Sequence, residues 1–301
     1  MRQEAYFCTV KELDELGKNN IPRQLISHTH LIYSSPATLA FNSPGAEGFG
    51  VKRAGLAVPD SVMLIVSPGC CGRNTSVLSS MRAYQDRFYY LLMDETDIVT
   101  GRHLKKIPKA VEEICEGLKK KPSVVMICIT CVDALLGTDM ERVCHKAEEY
   151  AGVPVRPCYM YALTREGRKP PMVHVRQSVY SLLEPKKKKG NVVNLLGYFS
   201  PLTDDCELYD LLHGAGVKTI HEISRCKDYA QYQTMSEANF NLVLHPEARF
   251  AAEDFHDRLK IPYIELRRLY QIDKIASQYR AFAAALGVEF EDEIPRQEAE
   301  A

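Results

Sequence analysis

Three short segments carry residue types that could bind a metal or move electrons, and each closes an apolar run. In Ser67-Pro68-Gly69-Cys70-Cys71-Gly72 a cysteine pair follows the run 61–68. A Pro-Gly turn with glycine on both sides of the pair lets backbone approach a bulky group closely. In Cys128-Ile129-Thr130-Cys131 the second cysteine closes the run 123–130 and precedes a helical pattern. A thiolate there gains from a helix N-terminus. The third segment, Val243-Leu244-His245-Pro246, places a histidine at the end of another run. The chain holds 10 cysteines, and in a reducing compartment such a surplus points to metal or redox chemistry rather than disulfides.

Each segment also has an ordinary reading. Cys128 lies inside an apolar strand and reads as core filling. As a dithiol, Cys128 and Cys131 are atypical, because such motifs open a helix with both cysteines. A closed zinc site wants four ligands, often as two close pairs, and adjacent Cys70-Cys71 lacks chelating spacing. His245 fits a satisfied strand-end histidine. Glu247 and Arg249, just beyond it, fit the solvated first turn of a helix. Cys8, Cys115, Cys144, Cys158, Cys206 and Cys226 read as structural.

The elements that must position these residues alternate. Strands are expected at 61–68, 88–94, 123–130, 153–160, 191–199, 217–224, 240–245 and 262–266. Helices are expected at 105–119, 134–150, 204–213, 247–259 and 270–286. Alternation of this kind argues for right-handed crossovers and parallel sheets, whose ligands sit at strand carboxyl ends. The Pro-Lys-Lys-Lys-Lys-Gly run at 185–190 reads as a solvated hinge. The expected organisation is an α/β domain over 1–185, carrying both cysteine segments, and a second, Rossmann-like one over 190–301. With 301 residues, 46% hydrophobic and 26% charged, the chain is long enough for two cores. A net charge of −1 gives no basic footprint for nucleic acid. No apolar run reaches the roughly 20 residues that span a bilayer. Residues 1–20 lack the apolar core of a secretory signal, so the expected location is the cytoplasm.

At this point the sequence resembles the nitrogenase component 1 type oxidoreductases. Gly69-Cys70-Cys71-Gly72 resembles the glycine–cysteine turn of that family. Thr130-Cys131-Val132-Asp133-Ala134-Leu135-Leu136-Gly137-Thr138-Asp139-Met140 resembles its second cysteine motif, where a helix with an Ile/Leu-Gly-Asp-Asp step follows the cysteine. The segments 190–199, 211–216, 239–245 and 261–266 follow the family's middle domain in order, and the resemblance runs over about 30–290. It implies two Rossmann-like parallel-sheet domains. It also implies Cys71 and Cys131 as ligands of an iron–sulfur cluster between two subunits, and electrons delivered by an ATP-dependent iron protein.

Two departures shape the expectation. Where the family has an earlier cysteine, this chain has Ser34, in Tyr33-Ser34-Ser35-Pro36. Two thiolates per chain, doubled across a homodimer or a heterodimer with a related subunit, suit one 4Fe–4S cluster. A larger cluster would need Cys70, Cys128 or Ser34 as well. Where the family's catalytic subunit has a cofactor-holding cysteine, this chain has His245, and the third domain with its partner histidine is not expected. The first expectation is thus an electron-transfer subunit of a nitrogenase-like reductase, with His245, Glu247 and Arg249 facing substrate. The alternative is a non-catalytic scaffold or carrier for metal-cluster assembly. A zinc or dithiol protein stands third.

Overall fold

The computed structural model describes residues 9–17, 20, 44–69, 79, 82–160 and 169–288. Cys70, Cys71 and Ser34 lie outside the described residues, as does Cys8. Among the described residues the helices α1 (Val10–Leu16) and α2 (Pro44–Gly55) come first. The first sheet is built from β1 (Val62–Ser67), β2 (Phe88–Leu92), β3 (Val125–Ile129) and β4 (Val155–Tyr159). Between them run α3 (Glu95–Thr100), α4 (His103–Gly117), α5 (Cys131–Leu136) and α6 (Met140–Ala151).

After α7 (Pro171–Tyr180) the second sheet begins with β5 (Val192–Leu196) and adds β6 (Thr219–His221), β7 (Phe240–Val243) and β8 (Tyr263–Glu265). Its helices are α8 (Glu207–Gly214), α9 (Tyr229–Gln233), α10 (Arg249–Leu259) and α11 (Ile272–Leu286). No helix among the described residues is long and apolar enough to cross a membrane.

All strand pairs are parallel, and the two sheets share one order: β2-β1-β3-β4 and β6-β5-β7-β8. The two sheets are thus topological repeats. In each, the chain leaves the first strand toward one edge and returns on its other side. That reversal opens a crevice at the carboxyl ends of the central pair, where open α/β sheets bind ligands. The central pairs are β1/β3 and β5/β7. The residues leaving β1 and β3 lead to Cys70-Cys71 and Cys131, and β7 leads to His245.

Continuous apolar strands explain the burial. β1, β3 and β5 are buried at every position, as strands covered on both faces require. One face of the first sheet packs Leu64, Val66, Ile127 and Ile129 on Ile107 and Val111 of α4 and Cys144 of α6. The other packs Met63, Ile65, Met126, Cys128 and Cys158 on α2 and α7. This second core continues into Leu196, Val243 and Phe255, so one apolar layer joins both sheets.

The helix expected at 134–150 is two helices. Gly137 takes a left-handed φ of 67°, and Asp139 caps α6 by accepting from the Arg142 amide. The expected strand 217–224 shortens to β6 because a 3-10 turn takes Ile223–Arg225. In the Lys run, Lys188 donates to the Ser236 carbonyl at 2.6 Å and Lys189 pairs with Glu237, so the hinge is tied to the second half. Helices α1, α2, α3, α7 and α9 add to the expected set.

Candidate functional site

At the first crevice, Cys131 is the opening residue of α5 and is half-buried. Its thiol lies 3.8 Å from the Met160 carbonyl, just past β4. Register places Ser67 and Thr130 next to each other, one step beyond the paired Val66 and Ile129. Both hydroxyls are buried, and neither oxygen has a hydrogen-bond partner among the described residues. An unpartnered buried hydroxyl is costly. Two of them at neighbouring strand ends, one on the residue before Cys131, fit a site whose occupant accepts hydrogen bonds, as the sulfides of an iron–sulfur cluster do. Among the described residues no three His, Cys, Asp or Glu side chains form a metal-holding group.

Behind Cys131 lies a buried polar contact that sequence reading missed. Asp133, in the first turn of α5, accepts from Thr138 at 3.0 Å and lies 2.9 Å from Nε2 of His103 at the start of α4. His103 and Asp133 are both about 1% exposed. The other ring nitrogen, Nδ1, lies 3.0 Å from the Asp97 carbonyl. A carbonyl only accepts, so Nδ1 carries a proton. A second proton must then lie between Nε2 and Asp133 Oδ1, or two lone pairs would face each other. Asp97 itself receives Lys106 and Arg102. These hydrogen bonds hold its carboxyl well below the usual carboxylate range.

Of the other described thiols, those of Cys115, Cys128, Cys144 and Cys158 are buried, and those of Cys206 and Cys226 are half-buried. Cys128 is fully buried and in register with Cys158 on the neighbouring strand. Burial pushes the thiols of Cys115, Cys144 and Cys158 up, which suits packing rather than ligation. Two leucines of α5 are exposed, Leu135 at 72% and Leu136 at 51%.

At the second crevice, His245 meets the end of β5. Gly197 has φ 142°, and a Cβ there would fall 2.8 Å from the His245 amide nitrogen. The His245 ring packs edge-on against Tyr198, centroids 5.8 Å apart. Its Nδ1 accepts from the Glu247 amide at 3.3 Å, which leaves the proton on Nε2. Burial lowers the ring's pKa, partly offset by Glu247. His245 is therefore a neutral hydrogen-bond donor in this arrangement. A metal at Nε2 would require the opposite tautomer and would set Nδ1–H against the Glu247 N–H.

Glu247 and Arg249 are engaged rather than freely solvated. Glu247 accepts from Arg176 of α7 at 2.9 Å, and Arg249 grips Glu265 at 2.6 and 3.1 Å. Arg176 is 4% exposed, donates to the Gly197 carbonyl at 2.6 Å, and lies over the Phe199 ring. His245, Arg249, Glu265 and Arg267 line a cavity of about 220 Å³.

Curated proteins and solved structures resemble this chain. A nitrogenase iron-molybdenum cofactor biosynthesis protein NifE from Klebsiella pneumoniae is 27% identical over 280 residues, covering 86% of this chain and 60% of that protein. The protein of the same description from Nostoc sp. is 27% identical over 239 residues, covering 76% of this chain and 49% of that one. The chain thus spans about half the length of the curated relatives it matches. The solved structure "Nitrogenase Cp1 at pH 6.5" shares the fold, with a TM-score of 0.61 at 18% identity over 83% of this chain and 59% of that one. The family model described as nitrogenase component 1 type oxidoreductase matches residues 47–301, and the chain belongs to that family.

Proposed function

We propose that this chain is a scaffold subunit on which an iron–sulfur-based metal cluster is assembled or held, with Cys131 and Cys71 as its thiolate ligands. The observation that carries the reading is the half-buried Cys131 thiol at the β1/β3 crevice, where the strand-end residues Ser67 and Thr130 also hold buried, unpartnered hydroxyls. The relatives' description as cofactor biosynthesis proteins favours assembly over turnover. When bound, the cluster supplies low-potential redox chemistry set by its thiolates and their hydrogen bonds.

The chain's residues divide the work. Cys131 ligates, Thr130 and Ser67 donate, and Met160, after β4, closes one side. The exposed Leu135 and Leu136 would be covered by a second chain, identical or related, that brings further thiolates. Two thiolates from each side would hold one cluster of about four irons.

A second reading keeps the chain in a reductase, receiving electrons from an ATP-dependent iron protein and passing them to substrate. The His245 donor in an arginine-lined cavity favours it. The experiment that separates the two loads the protein anaerobically with iron and sulfide. It then offers the protein either an apo-acceptor or a reductase with candidate substrates. Transfer of cluster without substrate reduction supports the scaffold. Sustained electron flow to a substrate, without cluster loss, supports the reductase and removes the scaffold.

A further inference from the structure

We infer that His103 is a positioning residue for Cys131: through Asp133 it holds the turn that presents the thiolate to metal. The inference rests on the reading of Cys131 as a ligand. Cys131 and Asp133 share the first turn of α5, a helix of only 6 residues. So short a helix does not fix its own orientation, because helix nucleation is unfavourable and few hydrogen bonds repay it. Something else must hold it.

The described contacts supply one such hold. Asp133 Oδ1 receives Thr138, five residues on, and faces His103 Nε2, thirty residues back, at 2.9 Å. His103 is fixed in turn by the Asp97 carbonyl of α3. Asp97 is anchored by its own capping box with Asp94 and by Arg102 and Lys106. A chain of contacts therefore runs from α3 through α4 to the turn bearing Cys131. Its interior members are buried, so water cannot substitute for a missing partner. Asp133 Oδ2 has no partner among the described residues, so removing His103 leaves the carboxylate held by Thr138 alone.

The test uses the anaerobically purified full chain and three variants: His103→Ala, His103→Gln and Thr138→Val. Glutamine can place its amide N–H near the position of Nε2 and serves as the rescue. Two readouts are taken. The first is iron per chain with the electron paramagnetic resonance spectrum of the reduced protein. The second needs no metal: the iodoacetamide alkylation rate of Cys131 in the apo protein, read peptide by peptide, with Cys206 as the reference thiol.

The expected result is a several-fold change in the Cys131 rate in His103→Ala, an unchanged Cys206 rate, an altered spectrum, and recovery in His103→Gln. Thr138→Val should show the same change, smaller, and decides the matter if His103→Ala does not fold. A Cys131 rate and spectrum equal to the unmodified protein's in a folded variant would overturn the inference. So would Cys131 and Cys206 changing together. An unmodified protein that takes up no iron defeats the proposed function instead, and the alkylation rates still decide the role of His103.

Discussion

Gly197 leaves no room for a side chain against His245 where β5 and β7 end: a methyl on Gly197 would lie 2.8 Å from the His245 amide nitrogen and 2.9 Å from its Cβ. The closeness results from neighbouring parallel strands whose exits turn into the same crevice. At φ 142° the residue also occupies backbone space that side chains rarely adopt.

Gly197→Ala should therefore destabilise the protein by about 2–5 kcal/mol, combining backbone strain with overpacking. Gly214→Ala is the contrast. It ends α8, and an added methyl meets nothing within 4 Å, so a gain of about 0.4–1 kcal/mol is expected. Thermal unfolding of the two variants should shift in opposite directions; a neutral Gly197→Ala would show that the crevice yields.

Arg176 ties the two sheets. Its guanidinium bonds Met172 and Gly197 carbonyls and Glu247 while almost wholly buried. Arg176→Ala removes this donor from Glu247 and the Gly197 carbonyl and should cost about 3–5 kcal/mol. Arg176→Lys should recover little, because an ammonium cannot span the same fork. Urea unfolding measures both, and full recovery by lysine would contradict the geometric reading.

Stability should fall as pH drops from about 6.5 to 4. Burial, aided by Lys169, lowers the pKa of His174 to about 4, and its ring packs against Tyr159 at 4.7 Å. Between the folded value and the ordinary one near 6.5, the unfolded chain takes a proton that the folded chain refuses. The unfolded state is therefore favoured as pH falls through that window. His174→Gln should lose this part of the pH dependence. Unfolding midpoints of variant and unmodified protein should converge toward pH 4, and parallel profiles would remove the assignment.

Much of the fold was legible because fully buried parallel strands are written as unbroken apolar runs. Met63–Val66, Val125–Ile129 and Val192–Leu196 read as strands for that reason. The long helix at 134–150 was misread because apolar spacing continues across Gly137, while the break depends on a left-handed backbone and the Asp139 cap. At the site, Cys131 stood out by residue type and its place at a strand end. His103 and Asp133 did not, because thirty residues separate them and only the packing of α4 on the first sheet brings them together. The Arg176 contacts were hidden likewise: no element was expected where α7 lies, and its targets lie in the other half of the chain. His245 drew attention as a lone histidine, but its tautomer depends on a backbone amide two residues on.

The most direct measurement is iron and acid-labile sulfide in anaerobically purified protein, compared with Cys131→Ala and Cys115→Ala. Cys131 is half-buried at the crevice, and Cys115 lies on the buried face of α4. The expected result is a brown protein of about four irons per pair of chains, with iron lost in Cys131→Ala and kept in Cys115→Ala. Iron and sulfide retained in full by Cys131→Ala would contradict the account.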